Sequence, residues 1–145
     1  MKKRVNISQA EPQAYKALYA LENYLQSTDI TSTHRNLIKI RASQLNGCAF
    51  CIDMHTKEAL KKGETNQRIF LLNAWREAPL YSEEEKVVLA ITEEVTLIHQ
   101  QGLSEETYQR AAALFDETYI ARLIMLVVTI NAWNRVAISS KTSFS

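Results

Sequence analysis

Glycine and proline are scarce: the chain has three and two of them in 145 residues. Those two residue types supply most of the backbone conformations that tight turns demand, so a sheet-built chain of this length needs more of both. The charge has no dominant sign. Seventeen Lys and Arg stand against sixteen Asp and Glu, a net +1, which leaves no electrostatic footprint for nucleic acid or an acidic membrane surface. Long hydrophobic runs are missing as well. The most apolar stretch, "IARLIMLVVTINAW" from Ile120 to Trp133, contains Arg122 and is too short and too charged to cross a bilayer. The basic start "MKKR" is not followed by an apolar run, so it does not read as a secretory signal. The chain is therefore expected to be cytoplasmic, with no nucleic-acid or membrane partner. Cysteine is the last scarcity, with only Cys48 and Cys51 present. In a reducing compartment a lone pair points to catalysis, redox chemistry or metal binding rather than to a structural staple.

The residues that are present favour helices. Ala14, Leu18, Leu21 and Leu25 form a helical stripe that starts after Pro12 and stops before "STD". A second helix is predicted from "TST" at residues 31–33 to Gly47, with Leu37, Ile38, Arg41 and Leu45 in phase. A third carries the cysteines and ends at "LKKG", where two lysines and Gly63 suit a helix C-terminus. A short helix through "NQRIFLLNAW" follows, and Pro79 breaks the chain. Ser82 and Glu85 then form a capping box ahead of a face of Val87, Ile91, Val95 and Ile98 that ends at Gly102. Ser104 with Glu105 and Glu106 opens the next helix, and the last one covers about residues 118–138, before a polar, frayed tail. The pattern predicts an all-α, single-domain helical bundle of six to seven helices spanning residues 1–145.

The chemistry is concentrated in "NGCAFCIDMH", residues 46–55. On a helix Cys48, Cys51 and His55 share one face, because they lie three and four residues apart in turn. Two thiols one turn apart can close into a disulfide, and a strained bridge is readily reopened. Gly47 permits a bend at which a new helix starts, and a thiol there meets unsatisfied N–H groups that favour thiolate. His55 can accept a proton from Cys51 or hold it as a thiolate. A zinc site would use the CxxC and His55, with His34 or His99 as a fourth ligand. Zinc knuckles, however, hold CxxC in a tight turn, usually beside a second knuckle, whereas "AFCIDMHTKEALKK" reads as helix. His34 and His99 fall near helix ends, where imidazoles cap or face water, and are assigned no role. Trp75 and Trp133 read as core or interface packing. Asp53 reads as a partner for a lysine or a backbone group, and Met54 as packing.

"IKIRASQLNGCAFCIDMHTKEAL", together with "LLNAWREAPLYSEEEKVVLAITEEVT" and the late "INAWNRVAI", resembles the alkylhydroperoxidase AhpD-like branch of the carboxymuconolactone decarboxylase family over roughly residues 30–140. The resemblance implies an all-helical fold and assembly into homo-oligomers, trimers or hexamers. It also implies reduction of hydroperoxides without flavin, haem or metal, by a CxxC pair cycling between dithiol and disulfide, with a thiol or dithiol protein as reductant. Cys48, Cys51 and His55 match the family's reactive positions. Which cysteine attacks is left open, since Cys48 has the helix start and Cys51 lies nearer His55. At the position of the family's relay glutamate, twelve residues before Cys48, this chain has Asn36, which cannot accept a proton at neutral pH. Glu58, three residues after His55, is the nearest substitute in sequence, with Glu93 and Glu94 as others. Retention of both cysteines points away from decarboxylation. The alternative to an enzyme is a non-catalytic redox sensor or disulfide-exchange oligomer built on the same pair.

Overall fold

The computed structural model describes residues 3–143. Among them the chain forms eight α-helices, one 3-10 turn and no strand. The helices are α1 (Ile7–Ala10), α2 (Pro12–Gln26), α3 (Ser32–Asn46), α4 (Ala49–Lys61), α5 (Asn66–Phe70), α6 (Glu83–Thr96), α7 (Glu105–Leu114) and α8 (Glu117–Ser140), with the 3-10 turn at Leu72–Ala74 between α5 and α6. The all-α expectation holds. The helix number is higher than expected because α1 is a separate four-residue turn, capped by Asn6 and broken off at Glu11. The "NQRIFLLNAW" segment also divides at Leu71, whose backbone leaves helical geometry.

Local chemistry sets the boundaries. The Ser82–Glu85 capping box is present, and Ser104 caps α7. Gly47 follows α3 with φ +68°, and Gly63 and Gly102 also take positive φ, where a side chain would be strained. α6 stops at Thr96, short of Gly102, so Ile98 lies past the helix and is 61% exposed rather than part of its buried face. Ala14 is likewise exposed. α8 continues to Ser140, where Lys141 adopts a left-handed conformation and the Thr142 N–H closes on the Ala137 carbonyl at 3.0 Å. The part of the tail described here is thus an ordered C-cap, and residues 144–145 lie outside the described region.

α3 is the central element, packed by α4, α6 and α8. Ile38 and Ala42 join Val88, Ile91, Leu123, Leu126 and Ile130 in the main core, while Leu37 and Ile40 join Leu72, Trp75, Tyr81 and Leu89 in a second cluster. Each fully buried Leu or Ile contributes roughly 1.5–3 kcal/mol. α8 is long and apolar enough to cross a membrane by length and composition, more so than the 120–133 stretch alone. In the fold its Leu123, Leu126, Val127 and Ile130 are core residues. Because α3 is enclosed, His34, Arg35, Asn36 and Lys39 are buried as well.

Candidate active site

A polar clasp fixes the turn that presents Cys48. Asn46 donates from Nδ2 to Asn131 Oδ1 and Asn134 Oδ1, both at 2.9 Å, and Asn134 donates from Nδ2 to Ser43 Oγ at 3.0 Å. Ser43 and Asn134 are fully buried, and buried amides and hydroxyls are tolerated only when paired in this way. The clasp ties the end of α3 to α8. The chain then reverses through Gly47, and Cys48 becomes the N-cap of α4, its Sγ accepting the Cys51 N–H at 3.3 Å.

Cys48 and Cys51 are joined as a disulfide. Both are almost completely buried, at 1% and 2% exposure, and pack against Ala137 and Phe50. The two cysteines line different cavities. Cys51 lines a cavity of about 460 Å³ between α2, α3, α4 and α8, together with His55, Glu58, Asn36, Lys39 and Glu22. Cys48 lines a smaller cavity of about 320 Å³ with Gly47, Ala49, Ile138 and Lys141. Cys48 is the N-cap of α4 rather than part of its first turn and lies beside the C-cap of α8, while its bond to Cys51 keeps it one turn from His55. Phe50, Ala137 and Thr142 wall both cavities.

His55 is buried one turn beyond Cys51, and its Nδ1 lies 3.3 Å from Glu58 Oε2. Burial, with Lys39 adding to it, holds the imidazole below its ordinary value of 6.5; Glu58 and Glu22 pull the other way and do not prevail. His55 is therefore neutral at pH 7. With Nδ1–H donated to Glu58, Nε2 is left as the proton acceptor.

Asn36 stands on the cavity wall, so the altered position belongs to the site. Of the carboxylates named from sequence, Glu58 reaches His55, whereas Glu93 is engaged elsewhere. Glu93 accepts from Arg41 Nε at 2.7 Å, Arg76 Nη1 at 2.7 Å and Trp75 Nε1 at 3.1 Å. Burial alone would raise its carboxyl, but those three donors together hold it below the ordinary range. Glu94 lines a different cavity beside it. The sequence reading missed Glu22, which comes from the preceding helix. One of its oxygens pairs with Lys39, and the other, Oε2, is buried with no partner among the described residues. The stripe of α2 apolar residues drew attention to its other face, and no local spacing links residue 22 to residue 55.

The remaining candidates are placed as follows. His34 is buried rather than at a solvent-facing cap, with Nδ1 2.7 Å from Tyr119 Oη and the ring edge-on to Phe115, and burial lowers its imidazole. His99 is exposed beyond α6. Trp75 is core, as expected. Asp53 pairs with Lys57 at 2.8 Å. Met54 is partly exposed on the cavity rim instead of packed.

A sequence profile described as the carboxymuconolactone decarboxylase family matches residues 12–94. The chain belongs to that family. Within it the AhpD-like resemblance is also upheld in three dimensions. A crystal structure of a protein of unknown function from Agrobacterium tumefaciens, proposed to be the antioxidant defence protein AhpD, superposes with TM-score 0.94 at 40% identity and covers 99% of both chains. The uncharacterized protein YdfG of Bacillus subtilis (strain 168) is 45% identical over 96% of this chain and 95% of its own. The debrominase Bmp8 shares the AhpD-like fold alone, at 16% identity and TM-score 0.82, over 94% of this chain and 74% of that one.

Proposed function

We propose that this AhpD-like protein is a thiol-dependent peroxidase that reduces hydroperoxides through Cys48 and Cys51. The observation that carries the reading is the shared cavity: Cys51 and buried His55, whose imidazole is neutral, line one space large enough for an organic substrate. In the dithiol form His55 accepts the Cys51 proton. The Cys51 thiolate attacks the distal peroxide oxygen; the S–O bond forms, the O–O bond breaks, and the alcohol leaves with a proton. Cys48 then attacks the resulting sulfenic sulfur, water departs and the disulfide forms. Two electrons and two protons from a thiol or dithiol reductant restore the pair. The step uses no cofactor. Glu58 orients His55, and Glu22, with its unpartnered oxygen in the same cavity, takes the proton-accepting part that Asn36 cannot. Homo-oligomerisation belongs to the same proposal: Met125 and Val128 leave an apolar strip exposed on α8, and such a strip suits burial against a second copy.

The test is to react the reduced protein with one equivalent of an organic hydroperoxide and count thiols, with Cys48→Ser and Cys51→Ser in parallel. Rapid loss of both thiols, with sulfenic acid trapped in Cys48→Ser and not in Cys51→Ser, is the expected outcome. Thiols that survive for many minutes would sink the peroxidase reading. A second reading, a redox sensor, is favoured by the packing of the disulfide against Ala137 near the end of α8. It predicts one stoichiometric oxidation and a change of assembly size, without turnover in the presence of a dithiol.

A further inference from the structure

Two buried cations face the larger cavity from successive turns of α3, Arg35 and Lys39. Lys39 is paired with Glu22. Arg35 is only 7% exposed, yet among the described residues no carboxylate lies within ion-pair distance of it. Its Nη2 donates to the Leu25 carbonyl at 3.2 Å, and its Nε is buried with no partner. A guanidinium presents a rigid fork of donors matched to carboxylate geometry. Burying that fork without a counter-ion is unfavourable enough that buried charges are almost always paired.

The cavity is also graded. At the disulfide end its wall is aromatic and apolar: Tyr15 and Tyr19 meet Trp133 edge-on at 5.3 and 6.1 Å, and Phe50 and Val136 complete it. Towards the far ends of α2 and α4 the wall turns polar, with Asn23, Gln26, Glu58 and Lys62. Arg35 belongs to that polar end, since it holds the last turn of α2. It lies eleven residues before Asn46, beside which the cysteine turn begins, so by helical rise the backbone positions of Arg35 and Asn46 are roughly 16 Å apart along α3.

We propose that the cavity takes an anionic, amphipathic substrate, a fatty-acid hydroperoxide whose carboxylate sits on Arg35 while its chain runs along the aromatic wall and its hydroperoxyl group reaches Cys51. The proposal rests on the peroxidase reading for the reaction, though not for the binding. Lys39 offsets Glu22 and half-exposed Glu58 is turned to His55, so of the cavity's cations Arg35 and Lys62 lack an ion pair among the described residues, and Lys62 is solvent-exposed while Arg35 is buried. An interaction of this kind between a charged fork and a carboxylate discriminates acid from neutral ester by about tenfold or more.

Two measurements test it separately. First, the oxidised protein is titrated with decanoate and with methyl decanoate, read by tryptophan fluorescence, because Trp133 lines the cavity. Decanoate is expected to bind at least about tenfold more tightly. Arg35→Gln should bring the ratio close to one, and Arg35→Lys should keep part of it. Second, the reduced protein is oxidised by a fatty-acid hydroperoxide and by its methyl ester, and the acid should react faster by a similar ratio. Equal binding of acid and ester by the native protein overturns the proposal whether or not any variant folds, and it is the result expected if a neighbouring subunit's carboxylate already fills the fork. Equal decanoate binding by Arg35→Gln also overturns it. Arg35-dependent binding in a protein whose thiols resist every hydroperoxide would remove the peroxidase reading and leave the anion subsite standing.

Discussion

The two sides of α3 handle buried charge in opposite ways. Towards α6, Arg41 finds Glu93 and Gln44, and Glu93 in turn holds Arg76 and Trp75, so both Glu93 oxygens are engaged, although the neighbouring Glu94 keeps one buried oxygen unpaired. Towards α2 and α4, Arg35 lacks a carboxylate and Glu22 keeps one oxygen unpaired. The amino-acid types are the same, and both carboxylates are largely buried. Pairing separates Glu93 from Glu22: the first has both oxygens engaged, while the second shares its cavity with an Arg35 that lacks a counter-ion, the open valences on which the proposed anion subsite rests.

Substitutions should pull the two sides apart. The largest expected effect is on stability at the closed side. Glu93→Ala leaves Arg41 buried without its counter-ion and should cost about 3–5 kcal/mol, a large share of a typical ~5–15 kcal/mol, read as a lowered denaturant midpoint. Glu22→Gln leaves Lys39 without its counter-ion but keeps an acceptor beside it, so it should cost less, about 1–3 kcal/mol, yet slow oxidation of the dithiol by roughly 10- to 100-fold. If both variants lose stability equally and neither loses rate selectively, the contrast between the two sides is wrong.

Acid sharpens the same comparison. The folded Glu93 carboxyl is held below its ordinary value near 4.5, so the stability it contributes is present above that value and is lost as pH falls through the depressed one. Acid titration of the thermal midpoint should therefore show a loss below about pH 4.5 that Glu93→Gln does not share. In the cavity the relevant group is His55, lowered from 6.5. The oxidation rate should fall below that pH as the imidazole is protonated, and Lys39→Met should move this limb upward because Lys39 helps to depress it. The smallest expected effect is that of Asn36→Glu, a gain of a few-fold while Glu22 is present and a larger one in Glu22→Gln. No gain in either folded background would exclude position 36 from proton handling.

Much of the fold could be read from local signals. Ser82 with Glu85, Ser104, Pro12, Gly47 and Gly63 mark ends that depend on a few adjacent residues, and they fell where expected, whereas α6 stopped at Thr96, short of Gly102. The candidate trio of Cys48, Cys51 and His55 was legible because it occupies one short segment. The rest of the site was not, for a physical reason. His34, Arg35, Asn36 and Lys39 look like the solvated side of α3 until α2, α4 and α8 close over them, and that closure is set by contacts between residues far apart in sequence. Glu22 was missed on the same ground. The separation of Cys48 from the His55 cavity depended on a one-residue difference between N-cap and first turn, finer than periodicity resolves.

That separation has a kinetic consequence. Phe50, Ala137 and Thr142 line both cavities, while Cys48 lines one and Cys51 the other. On the proposed peroxidase reading, a reductant attacking Cys48 from the α8 side would displace Cys51 as thiolate beside His55, without entering the cavity assigned to the hydroperoxide and its alcohol product. Saturating concentrations of one reactant would then not inhibit competitively against the other, and a slowly departing product would not delay the return of the dithiol.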